Sequence, residues 1–547
     1  NKEVRGVHDA AYLLAGFAIF STLLALFRDK LLAHTFGAGI ELDIYYAAFR
    51  TPDMIFAIVA SMMSVFVLIP FLSTKDDDEQ RHSLIHTLLL VFGILLITIS
   101  AIMYVAIPNI IHNLFSELTT RGYDDELISL TRILLLQPVI LGLSSIIASV
   151  MQYYGKYFIY AITAVFYNIG IITGIVFFVP IFGINGLGYG VVLGALLHLF
   201  IQLPTFFTLG FGKRFRFVES TEVLKVVFVS LPRTLALSAN HITLFVLVAM
   251  AGKLPVGSIA VFTLAFNLQA APLAIIGASY STAAFPTLSR LFTIGESQKF
   301  VEQITSAARH IIFWSAPIIA LVLVLRAQIV RVVYGSGSFD WSDTRLTAAA
   351  FAIFILSLVS QGMILLFIRG YYAASNTIKP LVFSISAACI TVILATVFTN
   401  MHATMEPWRD FFEMFTRTTS AGSTAILMLP LAYSISSIIT AVALVVSFTY
   451  DFRSKLGGLS RSVLESIVGA FFIGTATYLT LNVLSTIIIT DTIIGIFLQG
   501  AISGVVGIVT GIMVLKLIGN REITTVWRIL HHKFWNTKEI IAETEVT

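Results

Sequence analysis

The sequence predicts an all-α polytopic membrane protein of about fourteen transmembrane helices, on two observations. Charged residues fill only 12% of 547 positions, while hydrophobic ones fill 57%. A soluble domain carries roughly 25% charge, so this chain lacks the polar material for a water-facing surface. Its apolar residues also gather into runs longer than the roughly 18 that mark a spanning helix. The formal net charge of +4 leaves no electrostatic footprint for nucleic acid.

In order, apolar runs lie near 10–27, 44–72, 84–107, 127–152, 157–180 and 185–210. After Lys213-Arg214-Phe215-Arg216 they resume near 223–250, 256–286, 301–326, 345–370 and 380–399, then near 424–450, 463–489 and 491–518. The first run leads into Arg28 and Asp29 without a small-residue cleavage site, which reads as an uncleaved span. Pro52, Pro138, Pro232, Pro272, Pro317 and Pro430 interrupt runs, as membranes tolerate where protein or a wet cavity re-satisfies the freed backbone. With the N-terminus inside, inner segments hold about 18 Lys and Arg against about 9 outside, so both termini are expected in the cytoplasm. Lys75, Arg81, Arg290, Arg453, Lys455 and Arg461 belong to the inner set. The tail after Arg521 sets Ile523, Trp527, Leu530 and Phe534 on one face, which suits either a helix on the inner membrane surface or a partly ordered tail.

Two segments about 217 residues apart are alike. Ala48-Phe49-Arg50-Thr51-Pro52 leads to Pro70-Phe71-Leu72-Ser73, and Ala265-Phe266-Asn267 leads through Pro272 to Pro286-Thr287-Leu288-Ser289. Each lies in the second helix of a set of six, which predicts two parallel bundles with a binding cavity at their interface. The expected organisation is residues 1–212 and 213–452 as the two six-helix bundles, 453–520 as two further helices and 521–547 as an amphipathic cytoplasmic tail.

At this point the residues resemble a family. Phe27-Arg28-Asp29, Phe36-Gly37-Ala38-Gly39, Asp43, Ala48-Phe49-Arg50 and Pro52 are similar to the N-terminal signature of the MurJ (MviN-type) lipid II flippases. Pro272-Leu273, Gly277, Ser281-Thr282-Ala283 and Pro286-Thr287-Leu288-Ser289-Arg290 are similar to that family's eighth helix. The resemblance implies the multidrug/oligosaccharidyl-lipid/polysaccharide exporter fold, a bacterial cytoplasmic membrane and a polyprenyl-diphosphate-linked saccharide, lipid II, as substrate. It implies alternating access and no cofactor, with membrane lipid and a coupling cation as further partners. Where the family usually carries pyrophosphate-binding arginines, this chain has Thr22, Phe56, Ala57 and Asn267; a family glutamate aligns with Ser61.

A lipid diphosphate calls for cations inside a wet cavity, and arginine's planar fork suits it. An arginine at mid-membrane costs at least about 2.5–3.5 kcal/mol by insertion scales, so each one demands a reason. Arg28, Arg50 and Arg233 are expected to face the cavity and replace the missing family arginines, with Asp29 beside them. The plainer alternative pairs Arg28 with Asp29 or Asp43, and Arg50 with Asp53. Asn240, His241, Asn267 and Gln269 form a second polar set, read equally as substrate contacts or as interhelical glue. Arg132, Arg309 and Arg369 sit near span ends and are expected to snorkel. Gly37, Gly39, Pro52 and Pro272 are the candidate hinges.

Other patterns carry less. His82 and His86 beside Asp76-Asp77-Asp78-Glu79 read as a solvated run rather than a metal site. Gly183, Gly186, Gly188, Gly190 and Gly194 imitate a phosphate loop but fit close helix packing. The lone cysteine, Cys389, rules out an intramolecular disulfide. No catalytic set stands out, so an enzyme is not expected. The rival readings are an exporter of another polyprenyl-linked saccharide, an ion-coupled drug antiporter of the same fold, and a membrane enzyme or scaffold.

Overall fold

The structure, a computed structural model, describes residues 7–63, 68, 71–72, 77–212, 220–416, 424–453, 456–488, 492–520 and 522–524. Pro70, Ser73, Lys75, Asp76, Lys213, Arg214, Arg216, Lys455, Arg521 and the tail from 525, including Trp527, Leu530 and Phe534, lie outside them. The chain begins with α1 (Val7–Phe36), α2 (Ile40–Met62) and α3 (Asp78–Leu114). There follow α4 (Asp124–Tyr153), α5 (Tyr157–Phe182) and α6 (Asn185–Phe211). Next come α7 (Ser220–Ala251), α8 (Ser258–Thr293), α9 (Ser297–Tyr334) and α10, a pair of helices Trp341–Ile355 and Leu358–Ala373 bent by 44°. α11 (Ile378–Thr404), α12 (Thr424–Asp451), α13 (Leu459–Leu484) and α14 (Ile493–Leu517) complete the set.

Each expected apolar run overlaps one of these helices, although 44–72 extends past the end of α2 at Met62 and 463–489 past the end of α13 at Leu484. Among the described residues, eleven helices are long and apolar enough to cross a membrane, or twelve if the bent α10 is one span. α1 and α2, at 30 and 23 residues, are outside that count. The charges of α2, Glu41, Asp43, Arg50 and Asp53, lower its hydropathy, while the stretch 10–27 of α1 carries no charged residue.

The helices pack into two compact units, each interleaved along the chain. The first comprises Asn1–Ala265, Val333–Ala350 and Thr377–Tyr433. Within it α1 packs on α5, α2 on α4 and α7, α3 on α4, α5 on α6 and α7 on α11. The α5–α6 crossing rests on glycine. A Cβ on Gly190 would sit 2.5 Å from the Gly174 Cα, and one on Gly170 would collide with the backbone of Gly194. Lipid supplies no hydrophobic drive between helices, so such backbone-to-backbone approach carries the association. The glycine run is thus a packing surface, as its position in a membrane segment implies. Gly183 is the exception; it turns the chain between α5 and α6 with φ +58°.

The second unit comprises Phe266–Val332, Phe351–Asn376 and Ser434–Thr547. Here α8 runs past Pro272 into one π-helical turn at Ala274–Ala278. Hydroxyls bond back to carbonyls of the same helix along this stretch: Ser279 Oγ donates to Ala274 O (3.1 Å), Ser281 Oγ to Gly277 O (2.6 Å) and Thr282 Oγ1 to Ala278 O (2.6 Å). Arg369 joins the same site, its Nη1 donating to Ala278 O (3.0 Å), Ser281 Oγ (2.6 Å) and Thr282 Oγ1 (2.5 Å). That corrects the snorkelling expected of Arg369: one carbonyl and two hydroxyls of α8 hold its guanidinium. Gly277 meanwhile lets α8 approach Gly362 of α10, where an added Cβ would be 2.9 Å from the facing Cα. α13 and α14 pair with each other, and α14 lays Gly500 and Gly504 against Gln328 and Leu325 of α9.

Replacing Gly190 by valine should cost about 1–3 kcal/mol, the usual penalty for overpacking a tight contact. Thermal unfolding in detergent should show a lowered midpoint, whereas valine at Gly16, which has open space around it, should leave the midpoint unchanged.

Candidate functional site

Two polar clusters of the first unit gather most of its buried charge. At one end of the helices, the turn between α1 and α2 is held by two carboxylates. Asp43, only 2% exposed, accepts from the backbone N–H of Gly257 (2.6 Å, Oδ2) and of Ala260 (2.8 Å, Oδ1). These are orphan donors at the start of α8, so a side chain from α2 supplies the N-cap that α8 lacks locally. A carboxylate there also meets the positive end of the helix dipole. Asp343 does the converse, its Oδ2 accepting from Ala38 N–H at 3.1 Å. Gly37 has φ +63°, and a Cβ there would lie 2.6 Å from Ser338 O, so only glycine allows this approach. Ser338 N–H donates to His34 O (2.9 Å), and the His34 ring lies 3.1 Å from Ser336 Oγ. Gly39 begins α2 in an extended conformation.

Deeper in α1, Arg28 donates from Nε and Nη2 to the Asp29 Oδ1 at 3.0 and 2.7 Å. Its Nη1 donates to Asn168 Oδ1 of α5 at 3.1 Å, and Asn168 donates on to Ser21 Oγ at 3.5 Å. Asp29 is 3% exposed against 21% for Arg28, so the pair presents its cationic side outward. Tyr45 and Tyr46 of α2 stand within electrostatic reach of both. Arg50 of α2 donates Nη2 to Thr263 Oγ1 of α8 at 3.3 Å, while its buried Nε makes no hydrogen bond. Asp53 is its electrostatic partner, and lies 3.9 Å from Nδ1 of His241 on α7. Arg28–Asp29–Asn168 and Arg50–Asp53–His241 thus form two half-buried groups on α1, α2, α5 and α7.

The structure brings Arg28, Asp29, Arg50 and His241 into these groups. Arg233 is half-buried and Asn240 exposed on α7. Asn267 and Gln269 belong to the second unit; Gln269 is fully buried with neither amide atom hydrogen-bonded. Pro52 is buried inside α2, and Pro272 precedes the π-turn of α8. At the family's missing positions, Thr22 bonds only its own helix, through Ala18 O. Asn168, Thr263, Ser336 and Ser338 were not singled out by the sequence. Asp43 was legible as part of the motif, but its capping role depends on a contact 214 residues away. Among the described residues no group of His, Cys, Asp and Glu is placed to hold a metal. His86 instead bonds the Phe211 carbonyl at 2.8 Å, and His82 lies against the Phe211 ring at 4.1 Å.

This placement of the charged signature on α1 and α2 coincides with a family match. The family model for the lipid II flippase MurJ matches residues 32–498. The chain belongs to the MurJ lipid II flippase family. A lipid II flippase MurJ of Burkholderia cenocepacia is 23% identical over 406 residues, 71% of this chain and 78% of its own. A probable lipid II flippase MurJ of Buchnera aphidicola subsp. Schizaphis graminum is 27% identical over 423 residues, 73% and 80% of the two chains. Among solved structures, a lipid II flippase MurJ in an inward closed conformation superposes with a TM-score of 0.71 at 21% identity, over 95% of this chain and 99% of that one. An inward-facing MATE transporter of the MOP superfamily follows the same fold at 0.64 and 19%, over 81% and 96%. The chain therefore has the MOP transporter fold and is a multi-pass membrane protein of the MurJ family.

Removing one member of the Arg28–Asp29 pair leaves the other charge buried, which costs about 3–5 kcal/mol in known buried pairs. Arg28→Ala and Asp29→Ala should each lower thermal stability, and the double variant should lose less than the sum of the two. Additive losses would show that the pair is not coupled.

Proposed function

We propose that this protein carries lipid II, or a close polyprenyl-diphosphate-linked relative, from the inner to the outer leaflet of a bacterial cytoplasmic membrane. Membership of the MurJ family across residues 32–498 is the observation that carries the reading. The site chemistry agrees with it. Arg50 holds an unbonded buried Nε beside a single hydrogen bond to Thr263, so its fork has capacity for a phosphate oxygen. Arg28, Arg233 and His241 would add positive or donor groups on α1 and α7, with Asn240 as a neutral partner. The two six-helix bundles at 1–212 and 213–452, the further helices at 453–520 and cytoplasmic termini belong to the same reading.

In this mechanism the Asp43 and Asp343 contacts hold one end of α1 and α2 shut while the other end admits substrate, and transport requires them to break. Gly37, Gly39, Pro52 and Pro272 are the points where the backbone yields. A second reading, export of another lipid-linked saccharide, is favoured by the neutral residues at Thr22, Phe56, Ala57 and Asn267.

Depleting the resident flippase of a bacterial host and expressing this chain should restore growth and outward exposure of lipid II. Failure with the protein present in the membrane would favour the second reading. In the rescuing chain, Arg50→Ala should lower lipid II exposure at least about tenfold, as loss of a charge-assisted contact of about 1.4 kcal/mol or more would do. In a Cys389→Ser background, cysteines at His34 and Ser336 should cross-link on oxidation and stop transport, and reduction should restore it. Undiminished turnover of the cross-linked protein would count against opening at this end.

A further inference from the structure

Within the first unit, α3, α4 and α6 enclose a groove of about 380 Å³. Its walls are Leu89 and Leu90 of α3, Leu143 and Ile147 of α4, and Leu203 and Phe207 of α6, with His86 at one end. The groove exists because α6 departs from a regular helix. α6 breaks at Ile201–Gln202, restarts with Pro204 in its first turn and ends in a π-helical turn at Phe207–Phe211. Behind the break, fully buried Gln202 donates Nε2 to Ser144 Oγ (2.7 Å) and His198 O (2.8 Å), and Ser144 Oγ lies 2.7 Å from His198 Nδ1. This polar clamp fixes the spacing of α4 and α6 and prevents the helices from collapsing into the gap. Aromatic groups close the His86 end: the ring bonds the Phe211 carbonyl, and Phe211 stacks on Phe206 with centroids 4.6 Å apart.

The mouth decides what occupies it. Leu90 and Phe207 are 48% and 54% exposed, and the exposed apolar surface continues along Ile94 and Ile97 of α3 and Phe200 of α6. In a membrane-spanning protein that surface is covered by the hydrocarbon of the bilayer. Water is a poor occupant, because it needs 2–4 polar partners and the walls are hydrocarbon. The volume falls at the low end of the roughly 300–1,000 Å³ usual for ligand sites. It suits one flexible acyl chain and is short for a polyprenyl tail.

We propose that this groove is a binding site for one acyl chain of a bilayer phospholipid, distinct from the Arg28 and Arg50 groups. The assignment does not depend on which substrate the protein transports.

The test uses the full chain in nanodiscs containing phosphatidylglycerol with a diazirine midway along one acyl chain. After irradiation, peptide mapping should find label concentrated at 86–90 and 203–207, several-fold above that on Ile97 and Ile102, which are exposed on the same α3. Leu143→Trp, which fills the groove, should reduce the groove label several-fold and leave Ile97 and Ile102 unchanged. Leu90→Trp at the exposed mouth should do the same without burdening the fold. Even labelling along α3, or groove labelling that neither variant reduces, would overturn the proposal. So would displacement of the label by a polyprenyl diphosphate but not by unlabelled phosphatidylglycerol, which would assign the groove to a substrate tail.

Discussion

A polar group in the hydrocarbon of a bilayer finds no water, and most of this structure follows from that constraint. Serine and threonine hydroxyls along the helices return to carbonyls of their own helix, as Thr87 does to Ser83 O and Thr391 to Ala387 O. Long side chains from neighbouring helices join them, as Arg369 does at Ala278 O. The same constraint explains why charged residues travel in groups. Asp29 is tolerated because Arg28 covers it, and Asp43 because two backbone N–H groups of α8 meet it.

The Asp43 contact differs from the rest in kind. It joins a side chain of one helix to the first turn of another more than 200 residues later, and beside it Gly37 permits backbone contact with Ser338. Such a cap is directional and short-ranged, so a small displacement of α2 against α8 removes it at once. The packing contacts of α5 on α6, spread over several glycines, lack that property and would hold the two helices together through any motion. The first unit thus combines a seam of many backbone contacts with one held by a single side chain.

The fold was legible in the sequence because membrane helices announce themselves by composition. Each of the expected apolar runs overlaps a helix, and the glycines at 186, 188, 190 and 194 were correctly read as packing. The family was legible from the motif around Arg28, Asp43 and Arg50. What escaped were contacts between residues far apart in the chain. Asn168 and Thr263 are unremarkable in apolar segments, and nothing local marks either as the partner of an arginine. Arg369 was misread for the same reason. Its position near a span end suggested an exposed head group, but the carbonyl that binds it belongs to another helix, 91 residues away in the chain.

Those wide turns at 174–178, 207–211 and 274–278 carry a further consequence. Each amounts to one extra residue in the helix, and one residue is a rotation of roughly 100° at 3.6 residues per turn. A helical wheel drawn straight through α5 or α8 therefore assigns the downstream residues to the wrong side by more than a quarter turn, whereas the turn at 207–211 ends α6. In α8 the offset falls between Gln269 and Ser281, so the two halves of that helix present their polar residues by separate registers. Pairwise alignments of distant relatives should be expected to open single-residue gaps at 174–178 and 274–278, and the residues that face one another across them are to be compared by turn, not by count.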